Sequence, residues 1–152
     1  MANRKPIFDE LVTSDGVVCP TPDATAELGA QLAAGLPIGS MISLEGPLGA
    51  GKTQLVKGLA QGLGCLAPVS SPSFALLHEY PGPHHTLYHF DFYRMETAAE
   101  LATAGYDDCL ADGIVVAEWG NKFPAALPPG TFRLEFEILP GEARRIRAIR
   151  TP

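Results

Sequence analysis

Cysteine is scarce. The chain has three, Cys19, Cys65 and Cys109, and no C-x-x-C pair. An odd, scattered set argues against a disulfide framework and against a thiolate zinc site, and it suits a reducing cytosol. Long hydrophobic runs are missing too. None approaches the roughly 18 residues that a bilayer-spanning helix needs, so no membrane segment is expected. The opening stretch MANRKPIFDE lacks the apolar core of a secretory signal, which makes the cytoplasm the expected location. Positive charge is in deficit: 11 Lys and Arg stand against 17 Asp and Glu, a formal net charge of −6. The field of the whole molecule therefore does not draw in nucleic acid. Only a local patch, Arg144, Arg145, Arg147 and Arg150, could touch a nucleic acid or an acidic partner. Charges that keep an edge strand solvated are the preferred reading of it. No internal repeat and no low-complexity tract is found.

What is present is a globular composition. Of 152 residues, 46% are hydrophobic, which fits a folded chain. A chain of this length is expected to be one domain that buries roughly 68–70% of its unfolded surface. Residues 1–152 are accordingly read as a single domain, with the first ~15 residues flexible.

The hydrophobic pattern orders the elements. GVVC (16–19) reads as a short strand, and TPDATAELGAQLAAGL (21–36) as a helix. Thr21 is its N-cap, Pro22 occupies the first turn, and Leu28, Leu32 and Leu36 make its apolar face. MISLEG (41–46) reads as a buried strand, and KTQLVKGLAQGLG (52–64) as a helix packed through Leu55, Val56, Leu59 and Leu63. SFALLHEY and TLYHFDFY flank PGPHH and predict an antiparallel hairpin. METAAELATAG (95–105) predicts a helix. DGIVVAEW (112–119) is a continuous apolar run, as expected of a strand covered on both faces. NKFPAALPPG reads as a loop, and TFRLEFEIL with RRIRAIR as a second hairpin near a sheet edge. The fold class is α/β: a mixed sheet flanked by helices, with antiparallel hairpins, and GPLGAGKT (46–53) between its second strand and second helix makes it P-loop NTPase-like.

Between the second strand and second helix stands GPLGAGKT, residues 46–53. Gly46, Gly51, Lys52 and Thr53 satisfy G-x-x-x-x-G-K-[ST]. This spacing lets successive backbone N–H groups curl around an anion, and Gly49 and Gly51 permit the backbone angles. The following helix turns its free N–H groups and positive dipole end to the phosphates. Lys52 would reach the β- and γ-phosphates of ATP, and Thr53 would offer its hydroxyl to Mg²⁺. Leu48, Ala50 and Gln54 complete the loop's contribution to the nucleotide site. An acid at a strand end should complete the metal site, and there are two candidates. Glu118 ends IVVAE, on the run that reads as a central parallel strand; Asp91 ends LYHFD, on a hairpin strand of less certain direction.

The neighbouring residues allow plainer readings. His78, His84, His85 and His89 cluster in sequence but lack zinc spacing. His89 lies two residues before Asp91, on the same face of a strand; it either orients that acid or simply packs. Tyr88, Phe90 and Phe92 fall on the opposite, core-facing side. Arg94 either neutralises phosphate or forms a surface ion pair. Two other functions share the loop. A small-molecule kinase would need an Arg-bearing lid, and no Arg-rich insert separates DFYRM from IVVAEW. A GTPase-like switch would need N-K-x-D, and in GNKFP, Pro124 stands in place of the Asp.

Taken together, LEGPLGAGKTQLVKGLAQGLG, VSSPSFALLHEY, LYHFDFYR and AEWGNKFPAALP resemble the TsaE (YjeE) family over residues 20–139. The resemblance implies a slow, partner-regulated ATPase needed for N6-threonylcarbamoyladenosine at position 37 of bacterial tRNAs. It implies that the protein works with TsaD and TsaB, and that ATP hydrolysis resets their complex rather than modifying tRNA directly. By that resemblance Glu118 acts at the metal as a Walker B acid, and Asp91 is needed for turnover near the γ-phosphate. Ser71–Phe74 belong to a switch-like segment, and Trp119 sits near the nucleotide. Two positions depart from the family pattern. Pro47 stands where Asp is common and removes a backbone donor; Ser73 replaces Thr and keeps the hydroxyl.

Overall fold

The computed structural model describes residues 6–13, 15–69 and 76–149. The segment Ser71–Phe74 and Arg150 lie outside the described residues. A helix α1, Pro6–Leu11, opens the described chain. Leu11, at its end, is fully buried in the core, and Ile7 and Phe8 pack against it. Strand β1, Val17–Cys19, follows, then helix α2, Pro22–Ala33. As expected, the Thr21 hydroxyl caps α2 by accepting the Ala24 N–H at 3.1 Å, with Pro22 in first position.

The remaining elements are β2 (Met41–Glu45), α3 (Lys52–Gly62), β3 (Leu77–Pro81), β4 (Thr86–Asp91), α4 (Ala99–Thr103), α5 (Tyr106–Asp112), β5 (Ile114–Glu118), β6 (Phe132–Ile138) and β7 (Arg144–Ile149). One sheet of seven strands runs β1-β7-β6-β2-β5-β4-β3. Its centre is parallel: β2 pairs with β6 on one side and β5 on the other, and β4 adds parallel to β5. The flanks are antiparallel, through β3–β4, β6–β7 and β1–β7. Both hairpins read from the sequence are therefore present. The second lies near the sheet edge, as expected, with only β1 beyond it, paired to the start of β7.

Two differences from the sequence reading concern α4. The predicted helix over 95–105 shrinks to Ala99–Thr103, and a separate α5 follows it. Gly105, with φ +79°, ends the first helix in the left-handed region and starts the second. The loop 120–127 contains two turns of 3₁₀ helix, Gly120–Lys122 and Pro124–Ala126.

Each sheet face carries its own core. Leu28, Leu32, Leu55, Val56 and Leu59 of α2 and α3 pack on Ile42, Leu44, Val116 and Leu134. On the other face, Tyr88, Phe90, Phe92, Leu101 and Tyr106 surround Val115 and Ala117. The alternation expected of β4 is thus observed. Helices α2 and α3 touch backbone to backbone. A Cβ on Gly58 would lie 1.8 Å from the Ala26 carbonyl, and one on Gly29 would lie 2.3 Å from that of Leu55. Each helical glycine costs roughly 0.5–1 kcal/mol relative to alanine, and the close approach is what requires it. The approach fixes α3, and with it the loop preceding α3. Among the described residues no helix is long and apolar enough to cross a membrane.

Candidate nucleotide site

The loop 46–51 connects the central strand β2 to the N-terminus of α3. Its conformation requires glycine at defined places. Gly49 and Gly51 adopt φ +78° and +93°, in the region that side chains disfavour. Gly46 lies against β6, where an added Cβ would come within 2.8 Å of the Phe136 carbonyl. Helix α3 starts at Lys52 with no side-chain cap on its free N–H groups, which leaves an anion-binding end. Ala50 is buried and Leu48 is 72% exposed at the loop tip. Gln54 lies one residue past Thr53 in the first turn of α3.

Residues singled out in the sequence meet around Thr53 and around Lys52. Thr53 Oγ1 donates to Glu118 Oε2 at 3.0 Å. Lys52, only 5% exposed, bonds the Gly46 and Pro47 carbonyl oxygens at 2.6 and 3.0 Å. Its Nζ also lies 4.2 Å from the centre of the Trp119 ring, a cation–π distance. Burial lowers the Lys52 pKa, against the opposing charges of Glu118 and Asp91.

Strand register places the acids. β4 runs parallel to β5, which removes the uncertainty over its direction, and Asp91 is the register partner of Glu118. Both carboxylates therefore stand at the C-terminal rim, where open α/β sheets bind ligands. Glu118 is on the strand beside β2 and Asp91 is one strand further out. Asp91 Oδ1 accepts the Tyr93 N–H at 3.1 Å, and Arg94 Nε is 3.9 Å from Oδ2. Burial raises the Asp91 carboxyl, against the Tyr93 bond, with Glu118 adding to the rise. Glu118 shifts the other way. Burial pushes it up, but the bonds from His89 and Thr53 and the Lys52 charge together bring it below the ordinary value.

His89 does not orient Asp91. It is fully buried, and its Nε2 lies 2.6 Å from Glu118 Oε2 on the neighbouring strand. An ionised carboxylate only accepts hydrogen bonds, so with Glu118 ionised Nε2 carries the proton. The period-2 pattern put His89 on the right face of β4, yet only the β4–β5 register reveals which acid it meets. The histidine-cluster metal reading gains nothing: among the described residues no group of three or more His, Cys, Asp or Glu could hold a metal ion. A hard cation held by one or two protein oxygens plus phosphate oxygens and water is a different case, and Mg²⁺ binds in that way. The Thr53 hydroxyl bonded to the Glu118 carboxylate fits it.

Trp119 follows β5 with φ +61°, the one non-glycine residue in the left-handed region among those described. That conformation costs roughly 1–2 kcal/mol and turns the ring over Lys52 and against Tyr93, centroids 5.0 Å apart. Tyr93 was not singled out in the sequence as a site residue, and neither was Arg133, which grips Glu45 beneath the loop with two bonds of 2.6 and 2.7 Å. Only contacts across strands identify them.

The sheet and the loop define the class: an α/β protein of P-loop NTPase-like architecture. The chain belongs to the TsaE family. Residues 19–146 match the family model described as threonylcarbamoyl adenosine biosynthesis protein TsaE. A tRNA threonylcarbamoyladenosine biosynthesis protein TsaE from Treponema pallidum is 39% identical over 123 residues, covering 80% of this chain and 90% of its own. The protein of the same name from Bacillus subtilis is 35% identical over 126 residues, covering 82% and 78%. Among solved structures, Bacillus subtilis YdiB superposes with a TM-score of 0.72 at 31% identity, covering 86% of this chain and 80% of that one.

Proposed function

We propose that this protein hydrolyses Mg·ATP at the 46–53 loop, and that hydrolysis supports repeated turnover of the complex that makes N6-threonylcarbamoyladenosine at position 37 of tRNA. The observation that carries the reading is the Thr53–Glu118 hydrogen bond, 3.0 Å long, beside a buried Lys52 at the end of a helix-opening loop. The residues take these parts. Backbone N–H groups of the loop and the start of α3 hold phosphate, and Gly46, Leu48, Gly49, Ala50, Gly51 and Gln54 shape that cradle. Lys52 exchanges the Gly46 and Pro47 carbonyls for phosphate oxygens and meets the charge that grows there. Glu118, kept ionised by His89 and Thr53, fixes the Thr53 hydroxyl. Thr53 and Glu118 would hold Mg²⁺, which would neutralise phosphate charge there. Asp91, raised by burial, is suited to accept a proton from attacking water. The partners proposed on family grounds are TsaD and TsaB, with tRNA reached through their complex. Leu48 and Tyr93, 72% and 55% exposed, leave apolar surface at the loop mouth for a partner to cover.

The test pairs calorimetry with a reconstituted modification assay. Binding of Mg·ATP in preference to Mg·GTP, and multiple rounds of tRNA modification only when hydrolysable ATP is present, are the expected results. GTP preference would favour a switch, and phosphate on a small metabolite would favour a kinase. A second measurement uses the single tryptophan of the chain. Drawing Lys52 off the Trp119 ring must change its surroundings, so Mg·ATP should shift the emission, and Lys52→Met should abolish most of the shift. Emission that stays constant while calorimetry reports binding would mean that Lys52 does not move to the phosphates.

A further inference from the structure

The arginines of β7 are not equivalent. Arg145 and Arg147 pair across the strands with Glu137 and Glu135, at 3.2 and 2.8 Å. Arg144, where the strand begins, has no carboxylate within ion-pair reach among the described residues. Its guanidinium donates instead to three backbone carbonyls. Nη1 reaches those of Ala143 and Gly141, at 2.8 and 3.5 Å, and Nη2 reaches that of Gly49 at 3.2 Å. Gly49 is inside the phosphate loop. The stem follows the same path: Arg144 Cγ lies 3.9 Å from where a Cβ on Gly51 would be. Nε is buried without a described partner.

We propose that Arg144 is a positioning residue that braces the phosphate loop from the β6–β7 hairpin and sets its affinity for nucleotide. The inference rests on the Mg·ATP reading of the loop. Two cations hold the loop's carbonyls: Lys52 takes those of Gly46 and Pro47, and Arg144 that of Gly49. Lys52 must release its pair to meet phosphate. Arg144 is free of that duty, so its bond persists while the anion enters. A loop already held in its binding shape loses less freedom on binding. A cation without a carboxylate partner also adds attraction for a polyphosphate. The planar fork matters because one guanidinium spans the hairpin and the loop at once, which an ammonium cannot reproduce.

The experiment measures KM and kcat for Mg·ATP, and Kd for Mg·ADP, on the full chain with Arg144→Ala, Arg144→Lys and, as a control on the same strand, Arg145→Ala. Expected for Arg144→Ala are a KM and a Kd raised about tenfold, the loss of one hydrogen bond to a charged group, with kcat nearly unchanged. Arg144→Lys should recover part of the affinity, and Arg145→Ala should leave both constants alone. A folded Arg144→Ala protein with unaltered KM and Kd overturns the assignment, as does a loss confined to kcat. A merely structural role would lower the melting temperature without this split. Failure of the wild type to bind nucleotide would overturn the Mg·ATP reading and this inference together; an unaltered variant overturns this inference alone.

Discussion

Lys52→Ala should stop the proposed ATP-driven cycle. The expected loss in ATP turnover is about 10²–10³-fold, the scale of removing one pre-organised electrostatic donor, and repeated tRNA modification should fail with it. The ammonium is buried and has no partner it could not exchange. It holds two loop carbonyls and faces the Trp119 ring, while Glu118 and Asp91 raise its affinity for the proton that burial weakens. A cation kept in that setting at a loss of solvation makes sense if it meets an anion. Removing it should also release the Gly46 and Pro47 carbonyls, so the loop loosens while the fold remains. The check is single-turnover hydrolysis beside a thermal melt. Hydrolysis falling a hundredfold with the melt little changed is the expected pair. Undiminished hydrolysis, or a reconstituted complex that keeps cycling with Lys52→Ala, would remove Lys52 from the chemistry.

The parts of this arrangement readable from sequence are the local ones. The loop is legible because its spacing encodes its own conformation: glycine where φ is positive, then a helix start. The α2 cap is legible for the same reason, with Thr21 and Pro22 adjacent to the turn they make. β5 announces itself as a buried strand by its unbroken apolar run. What escapes is whatever depends on strand neighbours. A hairpin reading of β3 and β4 is correct but silent on the pairing of β4 with β5, and that pairing sets Asp91 beside Glu118 and gives His89 to Glu118. Arg144 shows the limit most clearly, because its loop partner is 95 positions away. Its place in RRIRAIR marks only an alternating strand. The helix read over 95–105 stops at Gly105, but α5 beyond it, Tyr106–Asp112, goes unread because seven residues are too few for an apolar period to mark a helix.

Glu118→Gln should bind Mg·ATP and fail to turn it over. The amide keeps the shape of the side chain but gives up the charge that the Thr53 hydroxyl and the His89 ring address, so a turnover loss of about 10²-fold or more is expected, with nucleotide Kd changed far less. The substitution also leaves a stability signature that separates charge from shape. Folding lowers the Glu118 carboxyl below 4.5, since the bonds from His89 and Thr53 and the Lys52 charge outweigh burial. A depressed carboxyl contributes stability that is present above the unfolded value and is lost as pH falls through the folded one. Glu118→Gln should therefore flatten the stability–pH curve below pH 4.5 and lower stability at neutral pH. Asp91 has the opposite sign. Burial raises it above 3.8, so its ionised form opposes folding at neutral pH, and Asp91→Asn should melt higher there while losing turnover. Denaturant melts from pH 3 to 7 on the two variants and the wild type provide the comparison. Curves that move in the same direction for both variants would contradict the opposed electrostatics of the two rim acids. Hydrolysis that survives Glu118→Gln would remove the Thr53–Glu118 pair from the site.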